Sequence, residues 1–506
     1  MMKPDLYYIN AISRQASRQV FRSGYMRFFL FLAYAAVCFL HVNYHGSRLS
    51  GVTLSLTGTS SLIPYTNIYL FTLLLLVPVA FRVDSLLRKQ KRYPDAVTRA
   101  RPAGNDEYIL GVTWGVLRVI FFTGAVSSCI AAVVNLFASN FPFNGWLYLF
   151  YFVTLLVPSF VFIVGMSLFT GVVVRHRGIG VLVLSGVLAL SFFPPGHALD
   201  PLGITLAGAF SDVTGLAGMD YFIIQRFAWL LAGGGLVGFA IASFDRLPNS
   251  LRSPWRARGI ASLLLLAGAC CGACIVLSDA RRSGKREMYA ATYVKYHGGG
   301  SLTLSRQAIR CAFENETLRA RSEMTVENQT TAAIERPLVY LNPSLHVSAL
   351  RVNGEEVAFE REHQAVVISR EALPGETWSV EMEYTGGIDE SICYLDIPDE
   401  YLRVPFSHAY GDCRGGEKYA FLEENFVLLT PECLWYPVTL PPVNPSDVFD
   451  IQKDFTEYTL EVVTSAGNTV ISQGERRVSG DTVSFRDDHP SRGLSLCIGP
   501  YTSYTV

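Results

Sequence analysis

The feature that most constrains this chain is a series of long apolar runs with almost no charge, near residues 26–44, 62–81, 109–136, 146–174, 179–194, 227–244 and 259–278, after which they stop. A helix needs about 20 apolar residues to cross the hydrocarbon of a bilayer. Inside it, only structures that pair their own backbone persist. Seven spans are therefore expected. The fifth, "IGVLVLSGVLALSFFPPG", is the shortest and ends at Pro194 and Pro195. Half of all residues are hydrophobic and 17% are charged, which is too apolar for an ordinary soluble enzyme. A net charge of -1 offers no basic footprint for nucleic acid.

Orientation follows from Lys and Arg near the span ends. Arg82, Arg88, Lys89, Lys91, Arg92, Arg99 and Arg101 follow the second run, Arg175 and Arg177 the fourth, and Arg246, Arg252, Arg256 and Arg258 the sixth. The alternate loops, 45–61, 137–145 and 195–225, hold only Arg48. An N-terminus in the cytoplasm and a C-terminus outside are expected, with Arg281, Arg282, Lys285 and Arg286 standing against the rule. Residues 1–25 are too long and polar for the start of a cleaved leader. They alternate Leu6, Tyr7, Ile9, Ile12, Val20 and Phe21 with Arg14, Arg18 and Arg22, which suits a helix lying in the membrane interface.

From Tyr293 the period changes to two: "SLTLSRQAIRCAF", "RARSEMTVENQT", "HVSALRVNG" and "TWSVEMEYTG" alternate apolar and polar between Gly, Pro and Asn turns. Such segments read as antiparallel strands. A looser stretch, about 388–447, is rich in Pro, Gly and Cys, and strands resume at "EYTLEVVTSA". The expected fold class is an α-helical polytopic membrane domain followed by an extracytoplasmic all-β domain of saddle or sandwich type. The expected division is an interfacial helix over 1–25, a permease-like domain over 26–280, a linker over 281–292 and the β domain over 293–506.

Five cysteines, Cys311, Cys393, Cys413, Cys433 and Cys497, fall in the β part. Their spacing matches no zinc pattern. Cys393, Cys413 and Cys433 lie in the irregular stretch, where an oxidising compartment would let a disulfide staple loops; the connectivity stays open. Cys270, Cys271 and Cys274 in the last span read as small packing residues. Asn315 and Asn328 head N-x-[ST] sequons, a match common by chance. The one Gly-Lys pair, Gly284-Lys285, lacks the surroundings of a phosphate loop, and none of the nine histidines is followed by Glu, so H-E-x-x-H is missing. Neither ATP hydrolysis nor zinc hydrolysis is expected of this chain alone.

Between the second and third runs stands "RVDSLLRKQKRYPDAVTRARPAGNDEYILGVTWG". Its basic half suits anionic headgroups, and Asn105 or Asp106 is expected to cap the third span. Its order, Arg99-Ala100-Arg101-Pro102 and then Glu107-Tyr108-Ile109-Leu110-Gly111, resembles the type-2 ATP-binding-cassette (ABC) permeases, although Val112 stands where they carry Lys. The resemblance implies that 82–107 docks a cytoplasmic ATPase, with Asp95, Arg99, Arg101 and Glu107 as coupling residues. It also implies a second permease copy or paralogue as partner in the inner membrane of a bacterium, with ATP held only by the partner subunit.

Residues 293–506 carry a second resemblance. Asn342, Pro343, Leu345, Val347, Asn353 and Gly354, then Pro374, Gly375, Glu376, Tyr384, Gly386 and Gly387, are similar to the N-terminal β domain of zinc aminopeptidases of the membrane alanyl aminopeptidase type. That domain holds no zinc ligand, so no catalytic or metal-binding residue is expected here. Zinc would belong to a catalytic domain that is missing or separately encoded. A membrane-tethered peptidase platform, or the front fragment of such an enzyme, is the competing reading. The transported substrate is not readable, since Arg118, Asp200, Asp212 and Asp220 are the few charges in or near the spans. The linker 194–222 suits a re-entrant or interfacial hairpin.

Overall fold

A computed structural model describes residues 5–45, 59–92, 104–206, 208, 210–244, 254–296, 300–314, 316–397, 418–423, 426–441, 443–444, 454–464, 468–487 and 489–501. The chain divides into two compact units, Met1–Ser278 and Asp279–Val506.

The helical unit contains α1 (Leu6–Phe21), α2 (Gly24–Leu40), α3 (Leu62–Arg92), α4 (Asn105–Ala138), α5 (Gly145–Val173), α6 (Arg177–Phe192) and α7 (Asp220–Ser243). It also holds the start of α8, which runs Pro254–Tyr296. Among the described residues, six helices are long and apolar enough to cross a membrane: α2, α3, α4, α5, α7 and α8. The expected fifth span is α6, with 16 residues. That length is about 24 Å of helix against a hydrocarbon core of about 30 Å. Phe193 ends it, and Pro194 and Pro195 have no N–H with which to continue.

Contact between these helices runs through small residues. A Cβ on Gly233 of α7 would stand 2.6 Å from the Phe162 backbone nitrogen of α5, and one on Gly165 would stand 2.5 Å from the Gly233 carbonyl oxygen. The two backbones touch, the geometry expected where apolar surroundings give no hydrophobic drive between helices. In α5, Pro158 follows a five-residue π turn, Phe152–Leu156, the kind of irregularity a missing N–H favours.

The α1 helix packs along α4. Gly111 faces Ile12, Gly115 faces Ala16 and Ser13, and Ser17 Oγ donates to the Gly115 carbonyl at 2.8 Å. Ser13, Ala16 and Val20 are buried, whereas Leu6, Tyr7, Phe21 and the three arginines are exposed. The expected interfacial helix therefore has one face given to α4. At the other end of the unit, α8 continues without a break through 281–292, the stretch expected to be a linker. Its Ala, Arg, Lys, Glu and Met are good helix formers. Cys270 and Cys274 are exposed on α8 and Cys271 is half-buried, so two of the three cysteines expected to pack point away from the unit.

The second unit is sheet-rich. Its eight-stranded sheet runs, in spatial order, Glu475–Ser479, Thr482–Arg486, Glu457–Val463, Thr303–Glu314, Thr317–Glu327, Thr377–Gly386, Leu345–Val352 and Glu355–Glu356. The period-two segments form these strands, and along Thr317–Glu327 the residues Leu318, Ser322, Met324 and Val326 turn inward between exposed Arg and Glu. One pairing departs from the antiparallel expectation. Thr303–Glu314 and Glu457–Val463 run parallel, Arg306 opposite Glu457 through Ala312 opposite Val463, and side-chain alternation is identical for either direction. Smaller sheets of four and three strands complete the unit around Trp378, Trp435 and Tyr436, all fully buried.

Candidate functional site

The residues flanking segment 93–103 form a collar of side chains that tie helix ends together. Asp95, Arg99 and Arg101 lie outside the described residues. Glu107 is described and sits in the first turn of α4. One carboxylate oxygen accepts from the Gly104 N–H at 2.9 Å and the other from the Asp5 N–H at 2.7 Å. It thus caps its own helix and holds the start of α1, while Asp5 in turn caps α1 by accepting from the Tyr7 N–H. Anionic groups belong at helix N-termini, where N–H groups lack partners.

Neither Asn105 nor Asp106 is the cap expected; Gly104 holds that position. Asn105 instead donates from Nδ2 to the Phe244 carbonyl, 2.9 Å away, at the C-terminus of α7. Tyr108 stacks on the Phe244 ring with centroids 5.5 Å apart. The first turn of α4 therefore grips α1 and α7 at once.

On the other side of the segment, Asp84 and Arg88 of α3 form an i,i+4 ion pair at 2.8 Å, with Asp84 buried. Arg88 Nη1 also donates to the Val174 carbonyl at 3.0 Å, closing the C-terminus of α5. Arg82 donates to the Gln19 carbonyl of α1 at 2.7 Å. A displacement at either end of 93–103 thus reaches α1, α5 and α7 through single hydrogen bonds.

A second polar hub holds the linker expected to be a hairpin, at the start of α3. Buried Arg226 donates to the carbonyls of Asp200 and Pro201 and to Gln225 Oε1. The Asp200 carboxylate collects the N–H groups of Leu202, Gly203 and Thr205 and the Thr205 hydroxyl. Asp212 accepts from the N–H and hydroxyl of Ser60. These carboxylates and the arginine are engaged in holding chain, which gives them a structural role. Arg118 is exposed, and Asp220 opens α7.

In the sheet unit, the positive cluster after the last apolar run is put to use. Lys285 pairs with Asp389 at 2.7 Å, Arg286 donates to the carbonyls of Cys393, Tyr394 and Ile397 at 2.6, 2.8 and 3.0 Å, and Arg282 lies over the Tyr419 ring. Asn342, the first motif residue of the second resemblance, is a hub. Its Nδ2 donates to the carbonyls of Cys433 and Asp389, and its Oδ1 accepts from Ser344 and Asp389 N–H groups. Asn342 is thus explained by the turns it holds together.

Cys393 and Cys433 are buried free thiols, and Cys413 lies outside the described residues. Burial pushes the Cys393 thiol well above its ordinary range and the Cys433 thiol up to about 12; Cys433 Sγ donates to the Thr430 carbonyl. Both stay protonated at neutral pH, so neither is a ready nucleophile or ligand. Among the described residues no three His, Cys, Asp or Glu gather to hold a metal. The Asn328 sequon is not a free acceptor. Asn328 is fully buried, and its amide donates to the Ala332 and Ala372 carbonyls while its oxygen accepts from Thr330.

No family model matches the chain, and no curated protein matches it. Solved structures match over part of it. An M1 zinc metallopeptidase from Deinococcus radiodurans is similar at 18% identity and a TM-score of 0.28, covering 39% of this chain and 42% of that one. Native yeast LTA4 hydrolase is similar at 10% identity and a TM-score of 0.26, covering 39% of this chain and 29% of its own length. The chain spans less than half of either, and at such scores nothing about its chemistry follows.

Proposed function

We propose that this chain is the membrane permease subunit of an ABC-type transporter, carrying an extracytoplasmic aminopeptidase-like β domain and drawing its work from a separate cytoplasmic ATPase. The observation that carries the reading is the collar. The segment whose sequence resembles a coupling element enters from α3 and leaves into α4. The side chains at those two junctions, Arg88, Asn105 and Glu107, each reach a different helix. An element that only anchors lipid has no need of such links. In this reading Asp95, Arg99 and Arg101 meet the ATPase, Glu107 positions the segment, and a second copy or paralogue completes the pathway. The chain is multi-pass in a bacterial inner membrane, N-terminus inside.

Two measurements test it. Charge reversal at Arg99 and Arg101 should release the co-purifying ATPase, whereas reversal at Lys89 and Lys91 should not; headgroup anchoring would make the pairs equivalent, on the order of 1 kcal/mol per residue. Equal loss from both pairs, or from neither, removes the assignment. An impermeant thiol reagent applied from outside should label Ser301→Cys and miss Gln90→Cys, and the reverse pattern defeats the orientation.

The second reading, an aminopeptidase-related fragment or tethered platform, is favoured by the motif residues at Asn342 and Gly386 that shape the β unit. It predicts co-purification of a zinc peptidase and no ATPase.

A further inference from the structure

Hydroxyl side chains in the helices mostly satisfy themselves. Thr66, Thr113, Thr123, Thr154, Ser167 and Ser191 each donate to the carbonyl four residues back, the usual solution in apolar surroundings. The exceptions are Ser13, Thr72 and Thr170, buried with no partner, and a seam where α4 meets α3 and α5, in which several such groups gather. Ser127 turns across to Asn67, donating from Oγ to Oδ1 at 2.9 Å. Ser128 Oγ and Asn67 Nδ2 have no partner. Two turns along α4, Asn135 donates to the Tyr148 hydroxyl at 3.1 Å, and its Oδ1 has none. Asn67 and Ser127 are fully buried, Asn135 is 2% exposed and Ser128 is 9% exposed.

The seam also cuts the packing. Ile63, Ala131, Phe141 and Tyr148 form an apolar cluster separate from the main core of the unit, and Asn67 with Ser127 stand where the two part. An unpaired amide is costly to keep in an apolar interior, and polar groups inside apolar helices commonly mark a path for a ligand. The unpaired atoms comprise an amide donor, an amide acceptor and a hydroxyl able to do both. None carries charge. The unit's charged groups Asp84 with Arg88, and Asp200 with Arg226, are hydrogen-bonded to protein groups of their own.

We propose that the seam formed by Asn67, Ser127, Ser128 and Asn135 is a hydrated site for neutral hydrogen-bonding molecules, not for ions. The site rests on the membrane reading above, and under the permease reading it points to a neutral hydroxyl- or amide-bearing cargo.

The test uses the full chain in which Cys38, Cys129, Cys270, Cys271 and Cys274 are replaced by Ala. Ser128→Cys is compared with Val133→Cys, an exposed position on the opposite face of α4. The probes are a hydroxyethyl methanethiosulfonate, which is neutral, and its trimethylammonioethyl counterpart, which is cationic. Expected is at least tenfold faster reaction of the neutral probe at Ser128→Cys than at Val133→Cys, and at least tenfold slower reaction of the cationic probe at Ser128→Cys. Adding Asn67→Leu should slow the neutral probe; Asn135→Cys serves as a second seam position should Ser128→Cys not fold. Equal rates at seam and control, or equal rates for both probes at the seam, overturn the proposal. Labelling needs no ATPase, so its failure and failure of the coupling reading are separately visible.

Discussion

The helical unit and the sheet unit both depend on glycine, but for different physical reasons. In the helices, Gly233 and Gly165 are needed because a neighbouring backbone occupies the place of a side chain. In the sheets, Gly354 stands in open space and is needed because its φ of +85° is one that other residues adopt only with strain. One unit is limited by the room between elements and the other by the bend within an element. The same substitution should therefore fail for opposite reasons in the two halves of one chain.

The largest expected effect is at the helix crossing. Gly233→Val should destabilise the helical unit by about 3 kcal/mol, because the atoms it meets are main chain and cannot rotate aside. Gly234→Ala, one residue on, meets only Leu264 Cδ1 at 3.6 Å and should be neutral or slightly stabilising. Melting of both variants in detergent checks this, and equal midpoints would abolish the distinction.

Next is Asn342→Ala in the sheet unit, which leaves the buried carbonyl of Cys433 and the half-buried carbonyl of Asp389 without this donor. About 2 kcal/mol is expected, read as faster amide exchange in the turns at Asp389 and Cys433 with α5 and α7 unchanged. Gly354→Ala should cost about 1 kcal/mol, seen as fraying of the hairpin between Leu345–Val352 and Glu355–Glu356 only. A larger or more distant effect would mean that space, not φ, governs that turn.

The smallest effect is on pH. Burial pushes the Asp389 carboxyl up, but the bonds from Lys285, Ser391 and Tyr289 outweigh it, leaving it below its ordinary value. A carboxylate with a lowered folded pKa lends stability that is complete above about pH 4 and fades as the pH falls through the folded value. Its neighbour Glu390 is raised by burial and acts in the opposite sense, its ionisation being resisted as pH rises. Asp389→Asn should therefore flatten the acid limb of the sheet unit's stability, measured by exchange at pH 3 and pH 6; an unchanged limb would locate the acid sensitivity elsewhere.

Much of this was legible in the residues. Run lengths located the apolar helices, and period-two alternation located the strands from Thr303 to Gly386. The contact between α1 and α4 also left a signal, Gly111 and Gly115 four apart opposite Ser13 and Ala16, which reads as close helix packing. Glu107 was visible as an acid in a motif, but its grip on the Asp5 N–H joins residues 102 apart in sequence, and no local pattern encodes that. The same holds for Asn105 and Phe244. The cluster at Arg281 to Arg286 looked like an exception to the orientation rule because its partners, Asp389 and the carbonyls from Cys393 to Ile397, lie a hundred residues on.

The parallel pairing in the eight-stranded sheet bears on how the chain is made. Thr303–Glu314 meets Thr317–Glu327 across a short turn and can pair within moments of leaving the ribosome, yet its other edge waits for Glu457–Val463, about 150 residues later. At roughly 5–20 residues per second, that edge stays open for roughly 7 to 30 seconds while most of the unit is synthesised. An unpaired edge is a template for wrong partners, and pairings so distant in sequence form slowly. The nascent sheet therefore has a defined period of exposure, ended by one strand, and a holding chaperone or a pause in synthesis should act there before residue 463 emerges.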